Sequence, residues 1–150
     1  MNEQETAALK AQILKDKNLL QQKNTMGASL LHTAVFQGNT NLAMFLIDQG
    51  IDVNLQDENG DTALHYCAEH NRLEIAAYIL VHNGRLDMAD KHSNQPLWTA
   101  VSNDKGMNKR IEIVRLFLDH GADKEHANKV NRTPAFIAAR YKNLSELFSL

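Results

Sequence analysis

The stretch Asp57-Glu58-Asn59-Gly60-Asp61-Thr62-Ala63-Leu64-His65 decides the fold, because variants of it return along the chain at a nearly fixed interval. Its glycine position recurs after 33, 33 and 38 residues, and so does the position five residues later. The recurring residues are Gly27, Gly60, Ser93 and Asn131, followed by His32, His65, Trp98 and Phe136. This period predicts a solenoid, in which stacked units share one continuous core.

Each unit has the pattern of two short helices followed by a turn. A hydroxyl N-cap begins the first helix, a leucine begins its apolar stripe, and a small residue allows close contact. A glycine, which can adopt the left-handed conformation, ends the second helix. These positions are Ser29, Thr62 and Thr133; Leu31, Leu64 and Leu97; Ala34, Cys67, Ala100 and Ala138; and Gly50, Gly84 and Gly121. Pro96 and Pro134 suit the first helical position, where no N–H is needed. Since neither helix can bury its apolar face alone, the units must stack.

The stretch 57–65 resembles the Thr-Pro-Leu-His-x-Ala signature of the ankyrin-repeat family, whose period is 33 residues. The segments Gly50-Ile51-Asp52-Val53-Asn54 and Gly121-Ala122-Asp123 are similar to the Gly-Ala-Asp-Val-Asn ending of that repeat. The resemblance covers about residues 5–150. It implies an all-α solenoid of ankyrin-type helix–turn–helix units with projecting β-hairpin loops. Trp98 and Phe136 replace the histidine that often bridges neighbouring repeats, so we expect aromatic packing at those two junctions.

The repeat divides the chain into a single domain with caps at both ends. The predicted segments are an N-terminal cap at 1–24, repeat 1 at 25–57, repeat 2 at 58–90, repeat 3 at 91–128 and a C-terminal capping repeat at 129–150. The longer third interval predicts an insertion near 103–109.

No arrangement of residues typical of an enzyme is present. The chain has no phosphate-loop or dinucleotide-binding glycine pattern. Cys67 occupies the small buried position of its repeat and is the only cysteine. His65 and Cys67 point about 200° apart on a helix, which disfavours a shared metal ion. We therefore expect no catalysis, no cofactor and no metal.

Charge is distributed unevenly along the chain, although the net charge is only −2. Residues 1–75 hold 5 Lys/Arg and 10 Asp/Glu, whereas residues 76–150 hold 11 and 8. The basic C-terminal half leaves binding of nucleic acid or another anionic ligand as an alternative function, disfavoured because acids are interleaved and no stacking platform is evident. The residues concerned are Lys105, Lys109, Arg110, Lys124, Lys129, Arg132, Arg140 and Lys142. A second alternative is an accessory domain of a larger enzyme.

The resemblance implies a protein partner gripped by the turn tips and the exposed side of each first helix, which we call the concave surface. The corresponding residues are Met26, Phe36, Gln37, Glu58, Asn59, Asp61, Glu69, His70, Lys91, His92, Asn94, Lys129, Arg132, Arg140 and Tyr141. This surface runs from acidic to basic along the chain, so a partner is expected to dock with its basic part near repeat 2. Phe36 is a candidate aromatic anchor or packs under a turn.

The sequence supports three further expectations. Leu46 lies eight residues before Asn54 in a Val-Asn pair, which resembles the family's asparagine hydroxylation pattern, although the same residues also serve the turn. A lone cysteine, an acidic N-terminus without secretory features and the lack of a long apolar run predict a cytoplasmic protein that does not enter membranes. We expect an adaptor, scaffold or inhibitor that acts as a monomer.

Overall fold

The computed structural model describes all 150 residues and contains nine α-helices. They are α1 (Glu3–Lys15), α2 (Leu30–Gln37), α3 (Thr40–Asp48), α4 (Ala63–His70), α5 (Leu73–Val81), α6 (Pro96–Asp104), α7 (Ile111–Asp119), α8 (Pro134–Ala138) and α9 (Lys142–Phe148). A short 3₁₀ helix at Lys17–Gln21 follows α1. None of the helices is long and apolar enough to cross a membrane.

The helices form two rows. Helices α2, α4, α6 and α8 pack against one another in order and form the first row, while α1, α3, α5 and α7 form the second row. Each first-row helix also packs against the second-row helix that follows it, and α9 packs against α8 in the same way. This is the all-α ankyrin solenoid that the 33-residue period predicts.

One apolar core runs through all the repeats. Leu31, Leu64 and Leu97 occupy the same repeat position, and none of them is more than 1% exposed. The small residues at the next repeat position, such as Cys67 and Ala100, are completely buried and let the first-row helices approach closely. Both predictions from the repeat are confirmed.

The turns between repeats are tight and contain no β-strand. A single isolated bridge pairs Lys23 with Ser29 in the first turn. In the second turn the N–H of Asp57 donates to the carbonyl oxygen of Asp61 at 3.0 Å. The predicted hairpin loops are therefore short hydrogen-bonded turns rather than paired strands.

The second-row helices end in two different ways. Gly50 and Gly121 have φ angles of 90° and 80°, as predicted. The prediction of a left-handed Gly84 is wrong, because Asn83 takes that conformation with φ 67°. Position 84 requires glycine for space instead, since an added Cβ would lie 2.5 Å from Cγ2 of Ile79.

The segment near 103–109 that the sequence predicts as an insertion contains the end of a helix and an irregular loop. Residues 103 and 104 complete helix α6, and the irregular loop covers 105–110. Asp104 is fully buried, and its Oδ1 accepts a hydrogen bond from the N–H of Arg110 at 2.7 Å. This bond joins the two ends of the loop.

Candidate protein-binding surface

An Asp or Asn side chain organises every turn tip. Oδ1 of Asp57 accepts hydrogen bonds from the N–H groups of Asn59 at 2.8 Å and Asp61 at 3.0 Å. The same pair of bonds recurs at the equivalent positions Asn24, Asp90 and Asn128. Such local side-chain-to-backbone bonds fix the turn without a strand. Sequence reasoning missed these residues, although they recur at the same 33, 33 and 38 spacing.

Backbone hydrogen bonds connect the tip of each turn to the next one. The N–H of each later tip donates to a carbonyl oxygen of the tip before it. The pairs are Glu58 to Met26 at 3.0 Å, Lys91 to Asn59 at 2.7 Å and Lys129 to His92 at 3.0 Å. All six residues belong to the predicted concave surface. The four tips therefore form one continuous ridge, which we call the turn ridge.

Most of the predicted surface residues are accessible. The exposed ones are Met26, Phe36, Gln37, Glu58, Glu69, Lys91, His92, Lys129, Arg132 and Arg140. Asn59, Asp61, His70 and Tyr141 are partly buried. Whether these side chains bind a partner stays a prediction, but their placement permits it.

Asn94 is the exception, and the expectation that it is exposed is wrong. Only 8% of the residue is accessible. Its Nδ2 donates to Oδ2 of Asp90 at 3.0 Å, and its Oδ1 accepts from Nδ2 of Asn128 at 2.9 Å. Its carbonyl oxygen lies 2.9 Å from Nε2 of His65. Asn94 is therefore a connecting residue between repeats.

Tyr141 contributes to the fold of the C-terminal end. It packs against Gly106 of the insertion so closely that a Cβ there would lie 2.5 Å from Cδ1 of Tyr141. Arg140 remains exposed, and its guanidinium carbon lies 4.7 Å from the ring centroid of Phe136. The insertion therefore rests on the capping repeat instead of projecting freely.

Two histidines join the first three repeats. Nε2 of His32 lies 3.0 Å from the carbonyl oxygen of Asp61, which matches the bond between His65 and Asn94. Burial lowers the pKa of both imidazoles, so that they stay neutral near pH 7. The Nε1 of Trp98, at the next equivalent position, is buried and has no hydrogen-bond partner. There Nε2 of His126 pairs with the carbonyl oxygen of Ser93 at 3.1 Å.

An open groove of about 360 Å³ lies beside the turn ridge, between the first two first-row helices. Its walls include Met26, Phe36, Tyr66, Glu69 and His70. The rings of Phe36 and His70 meet edge to face with centroids 5.0 Å apart. The hydroxyl of Tyr66 donates to Oδ2 of Asp57 at 3.0 Å, which fixes the tyrosine ring.

The potential beside this groove is negative. Burial and the carboxylates of Asp57, Asp90 and Glu69 raise the pKa of Asp61 to about 7, while Lys91 acts in the opposite direction. The turn ridge is thus acidic around repeat 2, as the charge pattern of the sequence predicts.

Two arginines cap the C-terminal ends of first-row helices. Sequence reasoning did not recognise this structural role. Arg72 donates through Nε to the carbonyl oxygen of Val35 at 3.2 Å. Arg110 donates to the carbonyl oxygens of Ala68 at 3.0 Å and Glu69 at 2.5 Å. A cation at a helix C-terminus is stabilised by the carbonyl groups that have no partner there. Arg110 is therefore committed to the fold and is not the free phosphate-binding cation that the alternative function requires.

The other candidate groups for chemistry are buried, dispersed or hydrogen-bonded within the fold. Burial raises the pKa of the Cys67 thiol, which disfavours the thiolate needed for nucleophilic attack. No three His, Cys, Asp or Glu side chains are grouped so that they could hold a metal ion. The side-chain amide of Asn54 bridges two turns, with Nδ2 donating to the carbonyl oxygen of Asn83 at 3.0 Å and Oδ1 accepting from the N–H of Arg85 at 2.8 Å.

Comparisons with known proteins agree with this geometry. The family model for ankyrin repeats in three copies matches residues 2–90. The chain is 36% identical over 110 residues to a protein named as an ankyrin repeat protein of Fowlpox virus (strain NVSL), covering 72% of this chain and 24% of that protein. It is 31% identical over 109 residues to an ankyrin repeat protein of Rickettsia felis, and the match covers 69% of this chain and 48% of that protein. A third relative is the B-cell lymphoma 3 protein homolog of Mus musculus, which is 27% identical over 120 residues. That match covers 79% of this chain and 26% of the relative.

The chain belongs to the ankyrin-repeat family. It spans between about a quarter and a half of the length of these relatives. Ankyrin repeats are generally protein–protein interaction modules and generally lack catalysis.

Proposed function

We propose that this chain is a non-catalytic protein-binding module, which acts as an adaptor, scaffold or inhibitor through its concave surface. In this proposal it works in the cytoplasm as a monomer. The division into caps and repeats given above, and hydroxylation of Asn54, stay predictions.

The observation that supports the proposal most directly is the turn ridge. Its three inter-turn hydrogen bonds hold Met26, Glu58, Asn59, Lys91, His92 and Lys129 in register. A preorganised surface loses little conformational entropy when a partner docks. Exposed Met26 and Phe36, at 56% and 59%, supply apolar contact area beside the ridge.

The anionic-ligand alternative has weaker support. Arg110 is committed to helix α4, and Nζ of Lys124 donates to the carbonyl oxygen of Phe148 at 2.9 Å. Arg132 and Arg140 remain exposed, and neither lines the groove beside the turn ridge.

The proposal is tested by affinity capture from a lysate of the native cell with three baits. One bait is the wild type, and the second carries Phe36→Ala, Glu58→Lys and Arg132→Glu on the concave surface. The third is a matched control with Leu73→Ala, Glu74→Lys and Arg115→Glu, which changes exposed residues of the second row. Circular dichroism and melting curves first verify that all three are folded.

A partner that the wild type and the control retain, and the concave variant loses, is the expected result. A partner that only the control bait fails to retain would place binding on the second-row helices and contradict the proposal.

A further inference from the structure

The groove between helices α2 and α4 has exposed apolar walls that the solenoid itself does not cover. Phe36 is 59% exposed and Met26 56% exposed, although both line the groove. Tyr66 and His70 of helix α4 continue the wall, with ring centroids 6.1 Å apart, and the His70 ring touches Phe36 edge to face. Met26 and Phe36 belong to neither the repeat core nor the residues packed against it, whereas the partly buried Tyr66 packs against the core.

The groove combines these rings with a single formal charge. Glu69 is the one Asp, Glu, Lys or Arg among the residues that line it. Glu69 is exposed and forms no salt bridge. The three ion pairs of the protein lie elsewhere, in the third and fourth repeats and the turn before them. An aromatic wall next to an unpaired carboxylate is chemically suited to a cation that also presents a flat or apolar surface.

The surrounding charges favour the same kind of ligand. The carboxylates of Asp57 and Asp90 and the partly protonated carboxyl group of Asp61 lie at the turn ridge beside the groove, and Lys23 and Lys91 are the lysines near them. The closest arginines are Arg72 and Arg110, whose guanidinium groups are already bonded to helix-end carbonyl oxygens. The lining itself therefore offers one negative charge and no free cation.

We propose that this groove binds an arginine side chain, presented by a segment of the partner protein that lies along the turn ridge. This inference rests on the proposed protein-binding function and deepens it by naming the chemistry of the anchor. The guanidinium pairs with the carboxylate of Glu69, and the side chain packs between Phe36 and Tyr66. Arginine fits better than lysine, since its planar cation stacks on rings and pairs with a carboxylate through two hydrogen bonds.

The groove is large enough for an arginine side chain. Its volume of about 360 Å³ is near the lower limit of pockets that hold whole small molecules, roughly 300–1,000 Å³. Its openness to solvent lets the backbone of the partner pass outside, across the acidic part of the turn ridge.

The test uses N-acetyl-arginine methylamide as a probe of the side chain alone. The ¹⁵N-labelled chain is titrated with it and with the citrulline analogue, which has nearly the same shape but no charge. We expect saturable shifts of the amides of Phe36, Glu69 and His70, with citrulline at least ~5-fold weaker because the charge-assisted pair is lost. The lysine compound is expected to bind ~2-fold or more weaker than arginine, since it cannot stack or pair through two bonds.

Two variants show whether Glu69 is the partner of the cation. Glu69→Gln should lower the affinity for the arginine compound to that for citrulline. The matched control Glu74→Gln, which removes another exposed carboxylate, from helix α5, should leave it unchanged.

Equal affinities for arginine and citrulline, an unchanged affinity in Glu69→Gln, or no saturable shift around the groove would each overturn the proposal. If that occurs while lysate capture still depends on the concave surface, only the arginine anchor is lost. If capture is also independent of the concave surface, the proposed function fails as well.

Discussion

Nε2 of His65 lies 2.9 Å from the carbonyl oxygen of Asn94, which is 29 residues later in the chain. Nδ1 of the same imidazole accepts from the N–H of Thr62 at 3.0 Å. With Nδ1 as acceptor, Nε2 must carry the proton and donate to Asn94. One buried neutral imidazole thus bonds to the N-cap residue of helix α4 and holds the turn of the next repeat in place.

Replacement of His65 by leucine should therefore be costly. His65→Leu leaves the N–H of Thr62 buried and unpaired, which costs about 1–3 kcal/mol. It also removes one hydrogen bond to the carbonyl oxygen of Asn94, worth about 0.5–1.5 kcal/mol, while that oxygen still accepts from the N–H of Asp90 at 2.9 Å. We expect the free energy of unfolding, measured by urea denaturation, to fall by about 2–4 kcal/mol. His92→Leu, at an exposed turn position, is the control and should change it little. Equal losses in both variants would refute the role given to His65.

Stability should fall in mild acid because of His32 and His65. Burial lowers the pKa of both imidazoles in the folded state, so below the ordinary value of about 6.5 the unfolded chain binds more protons. Their contribution is complete above that pH and is lost as the pH falls below it. The double variant His32→Gln and His65→Gln should show a smaller drop in melting temperature between pH 7 and pH 5, relative to its own value at pH 7. An unchanged drop would contradict this explanation.

Asp61 has the opposite pH dependence. Its pKa is raised to about 7, so the folded state holds a proton that the unfolded state releases above about pH 4. Its contribution therefore weakens as the pH rises from about 4 to 7. Asp61→Asn should melt at a higher temperature than the wild type at pH 8, with a smaller difference at pH 5. Differential scanning calorimetry measures this, and a difference independent of pH would argue against a raised pKa.

Arg110 should stabilise the fold more than any exposed arginine of the same half. Arg110→Ala removes the cap from the C-terminus of helix α4, and hydrogen bonds to charged groups contribute about 1.5–3 kcal/mol. Chemical denaturation should report a loss of about 2 kcal/mol. Arg115→Ala, whose side chain is half exposed and 3.9 Å from Glu112, should lose much less. The reverse order would show that Arg110 is not a cap.

Gly84 should tolerate no side chain. In Gly84→Ala the new Cβ would lie 2.5 Å from Cγ2 and 2.8 Å from the carbonyl oxygen of Ile79. Overpacking of this kind costs about 1–3 kcal/mol. At Gly50 an added Cβ has no neighbour within 4 Å, so Gly50→Ala should lower the stability only through the strain of its positive φ. A larger loss at Gly50 than at Gly84 in thermal melts would contradict this comparison.

The period of the sequence was sufficient to predict the stack, since Leu31, Leu64 and Leu97 recur in phase and all lie in the core. It did not determine the burial of Asn94. The equivalent positions hold buried Ala28, partly buried Asp61 and exposed Arg132, so the repeat alone does not fix the environment at this position.

Other features could not be predicted from the pattern. Arg72 and Arg110 bond to carbonyl groups 36–42 residues earlier, and only the three-dimensional stack brings these groups together. The contact between Tyr141 and Gly106 likewise joins the insertion to the last repeat. A turn loop of variable length carries no periodicity that would indicate where it packs.

The central claim, that a partner binds the concave surface, is tested most directly by site-specific photo-crosslinking in the native cell. Glu58 and Lys91 on the turn ridge, and Glu74 and Glu112 on the second row, are each exchanged for p-benzoylphenylalanine. The proposal predicts one discrete adduct of the same mass from both ridge positions and none from the second row. Adducts from Glu74 or Glu112 alone would contradict it.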